Sequence, residues 1–239
     1  MNDVNVNKED LVISVVIPCY NEVNTLEAVI AAVRGSGLRT EIILVDDGST
    51  DGTRELIREK LVNSVDKILF HKKNMGKGAA LRHGFKVATG DLVIVQDADL
   101  EYNPKEFISL IEPFIFGKAD ADVVYGSRYA RGTKYRVEGF YHSLGNKLLT
   151  AASNVCSDLS LTDMETCYKM FSRDVIQSIK IEENRFGFEP EVTAKIAKRH
   201  LKIYEIPISY DPRNFSDGKK IGLKDAFRAL YCIIKYNFF

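Results

Sequence analysis

Three acids spaced by two, Asp97, Asp99 and Glu101, follow directly on the apolar run Leu92-Val93-Ile94-Val95. A continuous β-branched run of this kind is the pattern of a strand buried on both faces. Carboxylates just past the C-terminal end of such a strand lie where open α/β sheets bind their ligands. Alternate acids in a short extended segment can turn their oxygens onto one hard cation, which the oxygens of a diphosphate could also hold. A solvated acidic loop is the plainer alternative. A second acidic pair, Asp46-Asp47, ends the run Glu41-Ile42-Ile43-Leu44-Val45 and opens the loop through Gly52. Asp51 or Thr50 suits a helix cap there, so Asp46 and Asp47 are the acids that call for a functional role. Lys77 stands between Gly76 and Gly78 at the start of a predicted helix, a reasonable anion site. A tight turn with an exposed lysine explains it equally, because neither the Walker pattern nor the dinucleotide fingerprint is complete here.

The elements that must carry these residues alternate. Val12 to Ile17 reads as a strand closed by Pro18, and a helix is predicted from near Asn24, with Glu27 as its capping-box partner, to Gly35. Lys67 to Phe70 is a short strand, and the Lys77 helix runs to about Ala88. Pro104 suits the first turn of a helix through about Phe114. Val123 to Gly126 is a further strand, leading into Ser127-Arg128-Tyr129-Ala130-Arg131. Strands alternating with helices predict an α/β fold built on a doubly wound, mainly parallel sheet with helices on both faces. Beyond residue 132 the alternation weakens: a loop to 140, a helix from about Tyr141 to Val155, and the alternating segment Asp163 to Phe171. A helix then ends at Lys198-Arg199-His200, Ile203 to Ile208 makes a last strand, and 212–220 is a polar loop. Without repeats or linker composition, a single domain over 1–239 is expected.

Composition bounds the function. The 239 residues are 45% apolar, enough for a proper core. Lys+Arg and Asp+Glu balance at 33 each, so net charge points to no class of partner, and no nucleic acid is expected. Residues 1–60 nevertheless carry a net −5 and residues 195–239 a net +6. That basic end suits an anionic ligand or surface, or simply a solvated helix face. Cys19, Cys156, Cys167 and Cys232 form no C-x-x-C pair, which argues against a disulfide scaffold or zinc site and for a reducing, cytoplasmic setting. No signal-peptide pattern opens the chain and no run nears the roughly 20 apolar residues of a membrane span. Leu223, Ala226, Phe227, Leu230, Tyr231, Ile234 and Phe238 recur at helical spacing in the last segment. Such a helix either lies in a membrane interface or packs on its own sheet.

The chain resembles family-2 glycosyltransferases of the GT-A fold, in the branch of dolichyl-phosphate mannose and glucose synthases and bacterial polyprenyl-phosphate sugar transferases. The residues that carry this are Val16-Ile17-Pro18-Cys19-Tyr20-Asn21-Glu22, the Val45–Gly52 loop, Asn74-Met75-Gly76-Lys77-Gly78 and Asp97-Ala98-Asp99. Gly126-Ser127-Arg128, Asp163–Phe171 and Arg213…Lys219 match in the same order. The resemblance implies that 1–130 is the nucleotide-sugar and metal-binding part and 131–239 the acceptor side. Pro18, Tyr20, Glu22 and Asp47 would hold the nucleoside of the donor, with Lys77 and Ala98 beside it. Asp97, Asp99 and Glu101 would hold Mg²⁺ or Mn²⁺ against the diphosphate, as a Lewis acid for the leaving group. Arg128, Arg213 and Lys219 would contact phosphates. Ser143 would bind the acceptor phosphate; the arginine that relatives carry four residues before it is Gly139 here, so Arg131 or Arg136 would substitute.

The expected reaction is inverting, single-displacement transfer from a nucleotide sugar, UDP-sugar favoured by the Asp163-Met164-Glu165-Thr166 segment, to a polyprenyl phosphate. With an alcohol acceptor in place of an ionised phosphate a base is required, and Asp163, Glu165, Glu189 and Glu191 are the candidates. Peripheral attachment to the cytoplasmic face of a membrane, directly or through a separate anchoring subunit, follows from the acceptor. The rivals are transfer to a glycan hydroxyl, a sugar-phosphate nucleotidyltransferase, which normally carries a Gly-rich loop where this chain has Pro18 to Glu22, and a catalytically inert binding scaffold.

Overall fold

The computed structural model describes residues 10–115, 120–130, 132, 139–212 and 223–239. Its centre is a seven-stranded sheet in the order β3-β2-β1-β4-β6-β5-β7. The strands are β1 (Val12–Cys19), β2 (Arg39–Asp46), β3 (Lys67–Phe70), β4 (Leu92–Val95), β5 (Val123–Ser127), β6 (Lys169–Ser172) and β7 (Ile203–Pro207). The apolar runs are the reason for this arrangement: Val15, Val16, Ile17, Ile43, Leu44, Val93 and Ile94 are wholly buried, as strands covered on both faces must be. β1 pairs in parallel with β2 and β4, and β2 with β3. β6 is inserted antiparallel between β4 and β5, and β7 resumes the parallel direction beside β5. The sheet thus joins strands from the predicted nucleotide part to strands from the predicted acceptor part.

The helices are α1 (Leu26–Arg34), α2 (Thr53–Leu56, continued by a π-helical turn over Ile57–Leu61), α3 (Lys77–Val87), α4 (Phe107–Ile115), α5 (Phe140–Ser157), α6 (Arg173–Ser178), α7 (Phe188–Lys198) and α8 (Leu223–Phe238). A 3₁₀ turn, Pro104–Glu106, leads into α4. α3 packs on β1 and β2, and α4 on β5 and β7.

Two local expectations are corrected. β1 does not stop before Pro18 but runs on to Cys19, with Pro18 opposite Val45. α1 begins at Leu26, not Asn24, and no capping box forms. Its N-cap Thr25 instead turns its hydroxyl to the Ala98 carbonyl, 2.7 Å away, tying this helix to the acidic loop. In α8, of the two placements open to the apolar stripe, packing on the sheet is not the one adopted: Phe227 is 73% exposed, and Leu230, Tyr231, Ile234 and Phe238 are exposed as well. The face that packs is Ala229, Cys232, Ile233 and Tyr236. α8 is anchored through it to α7 and through Arg228, which forks onto buried Glu183 at 2.8 Å. α5, which packs beside α8, also exposes Phe140, Tyr141, Leu144 and Leu148.

Candidate active site

A cleft of about 690 Å³ opens at the C-terminal ends of the strands. β1 delivers Pro18, Tyr20 and Glu22 to it, and β2 delivers Asp47. β4 supplies Asp97, Ala98, Asp99 and Glu101; Arg128 follows β5, and Lys77 opens α3. The loops are laced to one another. Asn21 takes φ 56°, a left-handed conformation that asparagine tolerates. Its amide donates to Ser49 Oγ at 3.0 Å, and its Oδ1 accepts from the Thr50 amide at 2.8 Å. The Glu22 amide donates to Thr53 Oγ1 at 2.9 Å. Asp51 Oδ1 accepts from the Thr53 amide at 3.0 Å from just outside the helix; the N-cap of α2 is Gly52, so neither Asp51 nor Thr50 is the cap expected there.

The acidic pair after β2 divides its work. Asp46 is fully buried and takes Arg54 Nε at 2.8 Å and the Ser49 amide at 3.2 Å, so it braces the loop internally and has no part in the cleft. Asp47 accepts from the amides of Met75 (2.8 Å) and Gly76 (2.7 Å) and sits 2.6 Å from His71 Nδ1. It therefore shapes the turn that presents Lys77, while still lining the cleft. The glycines of that turn answer to packing. A Cβ on Gly76, at φ 99°, would lie 2.2 Å from the Asn184 carbonyl oxygen, and one on Gly78 would lie 2.3 Å from that of Glu183. The backbone of 183–185 is thereby seated against the start of α3. Gly78→Ala is expected to cost about 1–3 kcal/mol through this overpacking, read as a lower urea midpoint; an unchanged midpoint would show that the segment gives way.

Lys77 is not an exposed lysine. Its Nζ lies 2.9 Å from Asp97 Oδ1 and 3.1 Å from Glu189 Oε1. Burial opposes its charge, but Asp97 and Glu189 hold its pKa well above the ordinary lysine value. Asp99 Oδ1 accepts from the Glu101 amide at 3.3 Å across a turn in which Leu100 takes φ 62°. Glu101 Oε2 accepts from Tyr210 at 2.8 Å. Among the described residues no three acids, histidines or cysteines already converge as a ligand set for a metal. Asp97 and Asp99 fit a hard cation that draws its remaining ligands from a diphosphate and water, as Mg²⁺ does. The lysine on Asp97 shows that this carboxylate's surroundings accept a positive charge.

Arg128 is 6% exposed and is held by Asp163, which is wholly buried. Nε donates to Asp163 Oδ2 at 2.7 Å, Nη2 to Oδ1 at 2.8 Å, and the Arg128 amide to Oδ2 at 3.0 Å. Asp163 therefore positions Arg128, and it is not among the residues lining the cleft. Glu191 is occupied too, by the amides of Glu182 and Glu183 and by Lys195. Of the four candidate bases, Glu165 and Glu189 alone line the cleft. Ser143, on α5, is not among the cleft's lining residues, while its neighbours His142 and Asn146 are. Arg131, Arg136, Arg213 and Lys219 lie outside the described residues.

Sequence reasoning missed His142, Asn146, Tyr210 and Arg185 as parts of the site. The first two were findable, since with Gly145 and Leu149 they form one face of a helix placed within two residues of its true ends. Tyr210, whose ring lies 5.1 Å from the Arg128 guanidinium, carried no signal in its surroundings.

A mostly parallel seven-stranded sheet with an antiparallel β6, acids at the end of β4 and a cleft across the strand ends defines a GT-A fold. The same fold is seen in glucosyl-3-phosphoglycerate synthase from Mycobacterium tuberculosis. Its complex with Mn²⁺, UDP and glucosyl-3-phosphoglycerate superposes with a TM-score of 0.71 at 22% identity, covering 95% of this chain and 80% of that one. Its UDP complex gives 0.73 at 21% identity, with the same coverage. The chain belongs to glycosyl transferase family 2, whose family model matches residues 14–180. It is 29% identical over 231 residues to a dolichol-phosphate mannosyltransferase of Pyrococcus furiosus, covering 94% of this chain and 64% of the relative. It is also 29% identical over 234 residues to an undecaprenyl-phosphate 4-deoxy-4-formamido-L-arabinose transferase of Aeromonas hydrophila subsp. hydrophila, covering 95% and 68%. The chain thus spans about two thirds of the length of these relatives.

Proposed function

We propose that the protein is an inverting glycosyltransferase that moves a sugar from a nucleotide-sugar donor, UDP-linked in preference to GDP-linked, onto a polyprenyl phosphate. The observation that carries the reading is the meeting of Asp97, Asp99, Lys77 and Arg128 in one cleft at the end of β4. Two acids suit a divalent cation and two bases suit a diphosphate, and the loops after β1 and β2 line the same cleft beside them. Asp97 and Asp99 would hold Mg²⁺ or Mn²⁺, which when bound supplies Lewis-acid stabilisation of the departing diphosphate. Arg128, fixed by Asp163, presents its charge at the same end of the cleft. An acceptor phosphate oxygen attacks the anomeric carbon, the carbon–oxygen bond to the diphosphate breaks, and its electron pair leaves with the nucleoside diphosphate. The acceptor phosphate is already ionised at neutral pH, so no base is needed.

The lipid acceptor is supported by the names of the relatives and by the outward apolar faces of α5 and α8, both of which also reach the cleft, through His142 and Ala226 respectively. No helix among the described residues is long and apolar enough to cross a membrane. Peripheral attachment at the cytoplasmic face, directly or through an anchoring subunit, fits this reading. Transfer to a glycan hydroxyl is the second reading, and Glu165 and Glu189 favour it as carboxyls within the cleft.

A panel of UDP- and GDP-sugars, each supplied with polyprenyl phosphate and with soluble glycans, tests both. Label is expected in an organic-extractable, mild-acid-labile product. Binding to anionic liposomes should also weaken with salt and fall severalfold in a Phe227→Ser/Phe238→Ser variant. Label on the glycans alone overturns the lipid reading.

A further inference from the structure

Two buried carboxylate oxygens in the cleft have no hydrogen-bond partner: Glu165 Oε1 and Glu189 Oε2. Glu189 is 4% exposed, and its other oxygen is committed to Lys77. A buried acceptor left without a donor carries its full desolvation penalty, so a site that keeps two of them is built to receive donors from a ligand. Their place identifies the ligand. Lys77 Nζ bridges Glu189 to Asp97, putting Glu189 on the far side of one ammonium from the acids assigned to cation and diphosphate. In a nucleotide sugar the group next to the diphosphate, opposite the nucleoside, is the sugar ring. The nucleoside wall is formed by Pro18, Tyr20 and Asp47 from β1 and β2, whereas Glu165 and Glu189 come from the segment before β6 and from the start of α7.

We propose that Glu165 and Glu189 bind the hydroxyl groups of the transferred sugar, and so decide which sugar is accepted. This rests on the glycosyl-transfer reading above and reassigns two residues that could otherwise have been bases. Glu189, charged beside Lys77, accepts from sugar hydroxyls. Glu165 is surrounded by Glu189 from α7, Lys169 from β6, Arg128 after β5 and Asp163 in its own segment. Burial, with the Glu189 charge adding to it, pushes its pKa up to about 8. It is therefore mostly protonated at neutral pH, and its hydroxyl donates to a sugar oxygen while its carbonyl oxygen accepts. With Glu189 Oε1 held by Lys77, the protonated Glu165 carboxyl and Glu189 Oε2 present one donor and two acceptor oxygens, a pattern that matches neighbouring hydroxyls on a pyranose.

The test compares UDP with UDP-glucose, UDP-N-acetylglucosamine and GDP-mannose by calorimetry, in Mn²⁺ buffer. Wild-type protein is expected to bind one of the nucleotide sugars at least ten times more tightly than its nucleoside diphosphate at pH 6.5, and to lose most of that margin by pH 9.5 as Glu165 ionises. Glu165→Gln, which mimics the neutral acid in volume, should keep the margin at pH 6.5 and retain it at pH 9.5. Glu189→Gln should abolish the margin while leaving diphosphate affinity within about twofold. Deoxy analogues of the preferred donor give the same readout without any variant, and at least one should lose the margin in wild type.

Nucleotide-sugar affinity unchanged in Glu189→Gln with kcat reduced more than a hundredfold would make Glu189 a base and overturn the inference. Parallel loss of diphosphate binding would do the same, by making the pair part of the diphosphate site. Diphosphate binding in wild type with no gain from any sugar overturns this inference alone. Absence of both kinds of binding overturns the glycosyl-transfer reading beneath it.

Discussion

Asp163→Ala is expected to destabilise the protein by about 3–5 kcal/mol, because it strands a buried guanidinium without its carboxylate. Arg128 would lose partners for Nε, Nη2 and its own amide at once. For a chain of this size each kcal/mol lowers the melting temperature by roughly 2–4 °C, so a fall of about 10 °C is anticipated in a thermal scan. The paired replacement Arg128→Leu/Asp163→Leu should recover much of that stability, since both charges leave together, yet remain inactive. A melting temperature within two degrees of wild type for Asp163→Ala, with activity lost, would return Asp163 to the role of a base.

The second large effect is at the proposed metal site. Asp99→Asn is expected to lower kcat/KM by about two to three decades, the loss of roughly 3–4 kcal/mol of charge stabilisation at the leaving diphosphate. Asp99 is a cleaner target than Asp97, whose removal would also release Lys77. Adding UDP should raise the wild-type melting temperature more with Mn²⁺ than with EDTA. In Asp99→Asn that difference should vanish, with the ligand-free melting temperature within a few degrees of wild type. A variant that keeps the Mn²⁺-dependent shift would exclude Asp99 as a ligand.

Much of the site was legible because strand ends are legible. Continuous apolar runs such as Ile13–Ile17 and Leu92–Val95 have few structural solutions, and the residues after them must emerge at one edge of the sheet. That logic placed Tyr20, Asp47, Asp97 and Asp99 in one cleft. It failed where two charges cancel at long range. Nothing local distinguishes Asp163 as the partner of Arg128, 35 residues away, from Asp163 as a reactive acid. The placement of the α8 stripe was open for another reason. The helix has apolar residues on two faces, and spacing picks out the bulkier one. Cys232 and Tyr236 pack inward against Ala194 on α7. The antiparallel insertion of β6 was equally invisible, because four residues of strand carry no mark of direction.

That insertion has a bearing on biosynthesis. The parallel block β3-β2-β1-β4 is complete in its strands by residue 95, while β5, at Val123–Ser127, has no neighbour in the sheet until Lys169–Ser172 has been made. During synthesis the outer edge of β4 and both edges of β5 stay open across more than forty residues of further chain. Both strands are wholly apolar or nearly so, and open apolar edges are templates for wrong pairing. β6 closes the edge of β4 and the facing edge of β5 in one step, as a keystone that arrives late, while the other edge of β5 waits for β7. A ribosome that stalls before residue 172 would hold a chain with its parallel block built and its most adhesive edges uncovered.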